Sequence, residues 1–310
     1  MLVRLMIAAL VGIASAQAMG LAFAQSVPSA QSVPSEADAT RSVEVSFPSR
    51  DLVDGKGVEL SARWMRAVVA DNARTPAVIL LHGCGGPNNA KGELSQRHAA
   101  MAQLLVARGY HVLFLDSFGA RNRPRGICTE KIGTRLITQT NRRRDVIAAL
   151  EWVANQRGVD PKKIALLGWS HGGSAVLAAT DANHSEVKDF LARGGPKFAG
   201  AFAFYPGCGD ALRNSHTPAT RTEIHIGALD DWTPPGSCVA LGERFRAATP
   251  SLTTTLYPDS YHGFDTSAPI RKREDVPNGI NRSGVTVGGN PVQHEIAYSR
   301  MLNFFKEIFR

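Results

Sequence analysis

Ile164-Ala-Leu-Leu-Gly-Trp-Ser-His-Gly-Gly173 is the stretch that decides the fold. Its first four residues are apolar without alternation, as a strand buried on both faces requires. Gly168-Trp-Ser-His-Gly172 then fits G-x-S-x-G, and the Ala-rich run Ser174–Ala179 can start a helix at once. A serine on so sharp a strand-to-helix turn has a strained backbone, and the residues two before and two after it must lack side chains for strand and helix to approach. Ser170 is therefore a candidate nucleophile exposed above a sheet edge.

Outward from this stretch the pattern repeats. Apolar runs at Ala77–Leu81, His111–Leu115, Ala199–Tyr205, Glu223–Ile226 and Thr253–Tyr257 alternate with expected helices near Ser95–Arg108, Thr140–Gln156, Ser174–Ala182, Ser237–Ala247 and Val292–Phe309. Strands alternating with helices predict an α/β fold with a mostly parallel central sheet and helices on both faces. Before them, Val43–Phe47 and Val58–Trp64 alternate apolar with polar residues around Asp54-Gly-Lys-Gly57, the pattern of an antiparallel pair. Thr266–Pro291, rich in Gly and Pro and carrying Arg271, Lys272 and Arg273, reads as a long loop before the last helix.

The N-terminus has its own organisation. Arg4, an apolar run from Leu5 to Leu21, and Ala22-Phe-Ala24 before Gln25 match a secretory signal with an A-x-A cleavage site, with Ala14-Ser-Ala16 as a second cleavage point. Residues 25–40, where Gln-Ser-Val-Pro-Ser is written twice, can bury almost nothing and are expected to be a disordered linker. A catalytic domain over 41–310 follows, exported to the periplasm or secreted, with no stable membrane span after signal cleavage. Export makes the four cysteines candidates for disulfides. Cys84 and Cys128 follow successive strands on one edge, while Cys208 and Cys238 lie just past strand ends near the proposed site, so the expected pairs are Cys84 with Cys128 and Cys208 with Cys238. No C-x-x-C or comparable spacing suggests zinc.

Composition narrows the partners. The chain has 310 residues, 44% hydrophobic and 20% charged, with 35 Lys and Arg against 27 Asp and Glu for a formal charge of +8. Its basic runs, such as Arg142–Arg144, are short and lack the aromatic interleaving of a nucleic-acid surface, so no nucleic-acid partner is expected.

A serine hydroxyl needs a base and an acid behind it, and in sheets of this kind they follow in the order Ser, Asp or Glu, His. This chain supplies Asp230 and Asp231 after the run ending at Ile226, and His262 after the run ending at Tyr257. His262 is the expected base; the residues alone leave the two aspartates as competitors for the acid. The turn Leu81-His-Gly-Cys-Gly-Gly86 leaves the first parallel strand and offers a backbone N–H at Cys84 which, with that of His171, would hold a developing oxyanion. His82 reads as an organiser of that loop. The absence of G-K-[ST] and of G-x-G-x-x-G opening into a helix speaks against a phosphate cradle. Arg121, Arg123 and Arg125 follow a strand end on the same edge; Arg121 and Arg125 are candidate substrate-binding residues.

Taken together, Leu81-His-Gly-Cys-Gly-Gly86, Asp116-Ser-Phe-Gly119, Gly168-Trp-Ser-His-Gly-Gly173, Phe204-Tyr-Pro-Gly207, Gly227-Ala-Leu-Asp-Asp-Trp-Thr-Pro234 and His262-Gly-Phe-Asp265 resemble the dienelactone hydrolase family of the α/β-hydrolase fold, over roughly Ala77–Arg310. The resemblance implies hydrolysis of a small carboxylic ester or lactone through Ser170, Asp230 and His262 with no cofactor and no metal. Its G-x-x-D-x-x-x-P spacing selects Asp230 over Asp231. Family namesakes carry cysteine at the elbow and are cytoplasmic; Ser170 and the export signal shift the expectation from dienelactone toward a general esterase. A peptidase or acyltransferase on the same machinery, or a non-catalytic exported binding protein, are the alternatives.

Overall fold

Eight strands pair in the order β1-β2-β4-β3-β5-β6-β7-β8: β1 Val43–Val53, β2 Lys56–Met65, β3 Thr75–Leu81, β4 His111–Asp116, β5 Val159–Trp169, β6 Gly200–Phe204, β7 Thr222–Gly227 and β8 Leu252–Tyr257. The computed structural model describes residues 42–68, 73–281 and 283–310; the expected signal peptide and linker lie outside the described residues. β1 pairs antiparallel with β2 and β2 with β4, whereas all pairings from β4 to β8 are parallel. The hydrophobic pattern had separated these two regimes: β2 alternates in burial, while residues 77–81 of β3 are fully buried. Burying each large aliphatic side chain there contributes about 1.5–3 kcal/mol.

The helices are α1 Gln96–Ala107, α2 Gln139–Ala154, α3 His171–Ala179, α4 Ser185–Ala192, α5 Gly209–Arg213, α6 Gly236–Phe245 and α7 Pro291–Ile308. None is long and apolar enough to cross a membrane. Several details differ from expectation. β5 begins five residues before Ile164, because Thr75 pairs with Val159 across a register shift that admits the polar Asp160–Lys163 into the strand. Helix α4 went unread: it has eight residues and buries only Val187 and Phe190, a signal too short for periodicity, although the His184 side chain caps it by accepting the Glu186 N–H.

The stretch 266–291 is not a structureless loop. It folds β9 Arg271–Arg273 against β10 Val285–Val287 as an antiparallel pair. Asp231 holds this hairpin, its carboxylate accepting the Thr286 N–H at 2.8 Å and hydroxyl at 3.0 Å, and its backbone carbonyl accepting the Ile280 N–H.

The sheet places β3 between β4 and β5, so the chain leaves β3 in one direction and passes through β5 in the other. In open α/β sheets, ligands bind at such a reversal, beyond the carboxyl ends of the strands. The loops after β3, β5, β7 and β8 carry the candidate residues.

Candidate active site

Ser170 stands at φ 53° and ψ −117°, between the end of β5 and the first residue of α3. Its N–H donates to the Phe204 carbonyl at 2.9 Å. A Cβ at Gly168 would meet the Gly172 carbonyl, and one at Gly172 would meet the Leu81 and His82 carbonyls, so both flanking glycines of the motif are sterically required. The helix begins at His171 itself, three residues earlier than the alanine run suggests.

Two loops converge on this serine. His262 Nε2 lies 2.9 Å from Ser170 Oγ, and His262 Nδ1 lies 2.8 Å from Asp230 Oδ2. Asp230 also accepts the N–H groups of Trp232 at 3.0 Å and Thr233 at 2.8 Å, and its Oδ2 is 3.0 Å from the Thr233 hydroxyl. A buried carboxylate so surrounded by donors has its hydrogen-bonding capacity filled. Its position puts the imidazole proton on Nδ1 and leaves the Nε2 lone pair facing the serine. The rings of Tyr205 and Trp232 each centre 4.6 Å from that of His262 and confine it. Asp231, turned into the β9–β10 hairpin, is not available to His262. No other histidine among the described residues bonds to Ser170; burial pushes His171 and His82 well below the usual imidazole range and His98 down to about 3.

The loop after β3 passes close over the serine: a Cβ on Gly83 would be 3.4 Å from Ser170 Cβ. His82 is fully buried; its Nδ1 is 2.8 Å from the Gly83 carbonyl, and its Nε2 accepts the Ser117 N–H at 3.3 Å, the contacts of a neutral loop organiser. Arg142, also buried, donates to the His82 carbonyl at 2.8 Å from beneath. Cys84 is bonded to Cys128, and its carbonyl accepts the Ile127 N–H at 2.7 Å, so the loop is held by a covalent link and a hydrogen bond. Among the described residues the N–H groups of Cys84 and His171 donate to nothing. The second disulfide joins Cys208 to Cys238 of α6, beyond β6. Cys84, Phe118, Ile127 and Ile137 form a small cluster of their own, against which Cys128 and Trp232 pack.

The expected substrate role of Arg121 needs correction. Its side chain is 4% exposed, and its guanidinium bonds both Asp145 oxygens at 2.8 and 2.9 Å, Asp51 at 2.8 Å and the Ser117 carbonyl at 2.7 Å. Two buried carboxylates neutralise it, and it ties β1 to α2 instead of facing a ligand. Arg123 pairs with Glu130, whereas Arg125 is exposed beside Gly126, which packs on the Cys84–Gly85 backbone. Sequence reasoning missed Thr233, Trp232 and Tyr205 around the histidine, because ring and hydroxyl placement depends on where loops from different strands meet. Among the described residues no cluster of three or more His, Cys, Asp or Glu side chains has the geometry to hold a metal ion.

A reversing parallel sheet with a strained serine at its centre, answered by a histidine and a carboxylate from later strand ends, defines the α/β-hydrolase class. Within that class the chain belongs to the dienelactone hydrolase family, whose sequence model matches residues 65–309; it is a hydrolase, and the family implies a small-molecule substrate. Among curated proteins it is similar to the quorum-quenching protein AidA of Acinetobacter baumannii (strain MDR-ZJ06), 29% identical over 242 residues that cover 76% of this chain and 67% of the relative. It is also similar to acylamino-acid-releasing enzyme 2 of Oryza sativa subsp. japonica, 24% identical over 84% of this chain; the matched region is 29% of the rice protein's length. The fold is shared with a dienelactone hydrolase-like promiscuous phosphotriesterase from metagenomic libraries (TM-score 0.58, 17% identity, 87% of this chain and 99% of that one). It is shared too with Thermogutta terrifontis esterase 2 phosphoramylated by tabun (TM-score 0.57, 17% identity, 85% and 94%).

Proposed function

We propose that this protein is a serine hydrolase that cleaves small carboxylic esters or lactones through an acyl-enzyme, with Ser170 as nucleophile, His262 as base and Asp230 as orienting acid. The observation that carries the reading is the unbroken chain Ser170 Oγ, His262 Nε2, His262 Nδ1, Asp230 Oδ2, at 2.9 and 2.8 Å, on an elbow that a serine enters only under strain. Ser170 Oγ attacks the carbonyl carbon as His262 Nε2 takes its proton; Asp230 stabilises the imidazolium. The carbonyl oxygen becomes an anion received by the N–H groups of Cys84 and His171, each such donor being worth about 3–4 kcal/mol in the transition state. Collapse breaks the bond to the leaving alkoxide, which the imidazolium protonates. Water, deprotonated by His262, then attacks the acyl carbon, and a second collapse returns the acid product and the Ser170 hydroxyl. Arg125 is the remaining candidate at the rim for a substrate carboxylate.

The N-terminal pattern of residues 1–24 and the two disulfides support export to the periplasm or beyond, with the linker over 25–40 preceding a catalytic domain over 41–310. The covalent organophosphate adduct of the Thermogutta esterase suggests the probe. A fluorophosphonate is expected to label Ser170, and Ser170→Ala is expected to abolish both labelling and turnover of a short p-nitrophenyl ester while the protein stays folded. Full turnover by Ser170→Ala would overturn the proposal; a folded wild-type protein that neither labels nor turns over would instead support the binding-protein reading. The rice relative's name favours a second reading, peptide hydrolysis by the same groups, which an amide arm beside the ester and lactone arms of a substrate panel tests.

A further inference from the structure

The serine and its base reside on strands that are not neighbours. β5 and β8 are separated by β6 and β7, three strand spacings or about 14 Å at the sheet, yet Ser170 and His262 meet at 2.9 Å. The loop after β8 must reach back across two strand ends and be held there. Asp265, three residues after His262 and 1% exposed, provides such a hold. One of its carboxylate oxygens accepts the indole N–H of Trp169, the residue before the nucleophile, at 2.8 Å. The other accepts the Tyr205 hydroxyl at 2.5 Å and Arg97 Nη1 at 3.3 Å. Among the described residues, the Trp169–Asp265 bond is the one hydrogen bond besides Ser170–His262 itself that joins the elbow to the histidine loop.

Tyr298 of α7 also lies against Asp265, but Trp169, Tyr205 and Arg97 are the partners whose placement matters for the serine–histidine contact. Trp169 is fully buried against Phe204, its ring stacked at 6.1 Å, so the indole is a rigid extension of the elbow. Tyr205 packs its ring on His262, its own backbone at φ 36° where β6 ends. Arg97 comes from α1, donates to the Tyr205 hydroxyl at 2.6 Å and lies over the Trp169 ring at 5.6 Å, supplying the countercharge that allows a carboxylate to remain buried there. We propose that Asp265 is a positioning residue: through Trp169 and Tyr205 it sets the distance and angle between Ser170 Oγ and His262 Nε2. It touches no reacting atom. The role rests on Ser170 and His262 being the nucleophile and base.

The test uses Trp169→Phe, which keeps a large ring and removes the N–H, with Asp265→Ala, the double variant and Ser170→Ala as control. A loosened serine–histidine contact slows acylation without weakening substrate binding. Trp169→Phe is therefore expected to lower kcat by about 10–100-fold, with KM within about twofold of wild type and an unchanged far-UV spectrum. The rate of fluorophosphonate labelling should fall by the same factor. Adding Trp169→Phe to Asp265→Ala should cost nothing further, because the bond is already gone. Wild-type kcat in folded Trp169→Phe, a rise in KM alone, or losses that multiply in the double variant would overturn the proposal, provided Ser170→Ala is inactive. An active Ser170→Ala would instead remove the reading on which it rests. Should Asp265→Ala fail to fold, the kcat and KM of Trp169→Phe decide the matter alone.

Discussion

At Ser170, Gly168 and Gly172, local sequence and three-dimensional requirement coincide: a positive-φ serine can be packed there only because neither flanking residue has a Cβ. The adjacent aspartates show the opposite case. Asp230 and Asp231 are chemically identical and one residue apart, yet the first points at His262 and the second at Thr286. Their substitutions are expected to separate accordingly. Asp230→Asn should cut kcat by about 10⁴-fold, since the amide no longer accepts the Nδ1 proton and the wrong tautomer faces the serine. Asp231→Asn should cost far less in kcat, and its effect should be read in the thermal midpoint, because that carboxylate holds the hairpin. A comparison of kcat for the two variants against the same ester checks the assignment; equal losses would contradict it.

Between elements, charge acts mainly to tie layers together. Arg121 joins Asp51 of β1 to Asp145 of α2, while Asn141 and Arg144 of α2 also bond Asp51. Removing one partner of a buried ion cluster strands the others without a countercharge, which typically costs about 3–5 kcal/mol. Arg121→Met should therefore lower the urea midpoint strongly while leaving KM for an anionic ester near wild type. A large KM increase with unchanged stability would return Arg121 to the substrate site. The run Arg121-Asn-Arg-Pro-Arg125 gave no warning of this difference in role, because the carboxylates that meet Arg121 are 70 and 24 residues away. The hairpin of 271–287 was unreadable for a related reason: its strands have three residues each, and its anchors, Asp231 and the His262 carbonyl that accepts the Gly288 N–H, are distant in sequence.

For the whole molecule, the buried histidines link folding to pH. The buried His82 and His98 and the half-buried His171 are depressed mainly by loss of solvent around the ring, so the folded state keeps them neutral while an unfolded chain protonates them near pH 6.5. A base with a lowered folded pKa contributes stability above its unfolded pKa and loses it as pH falls. With His98 at about 3, its share of the loss between pH 7.5 and 5 is about 2 kcal/mol, with His82 and His171 adding in the same direction. Urea unfolding at the two pH values should show this decline and little change between pH 7.5 and 8.5; a flat profile down to pH 5 would contradict the neutral assignment. The two disulfides act at the same scale, each joining segments beyond the carboxyl ends of the strands and reducing the freedom of the unfolded chain.

The sequence by itself determined the periodicity and the punctuation of this protein. Continuous apolar runs separated by helical segments specify a parallel sheet, and the G-x-S-x-G turn specifies where a serine must be strained, because both follow from steric and solvation rules acting over a few residues. It also ordered Ser170, Asp230 and His262 along the chain and suggested both cysteine pairs. The family spacing favours Asp230 over Asp231, but only the tertiary structure decided that Asp231 is taken up by the β9–β10 hairpin, that Arg121 is consumed by Asp51 and Asp145, and that Asp265 bridges Trp169 to Tyr205. Those outcomes depend on which loops from separate strands come within about 3 Å of one another, the range over which a hydrogen bond exists at all.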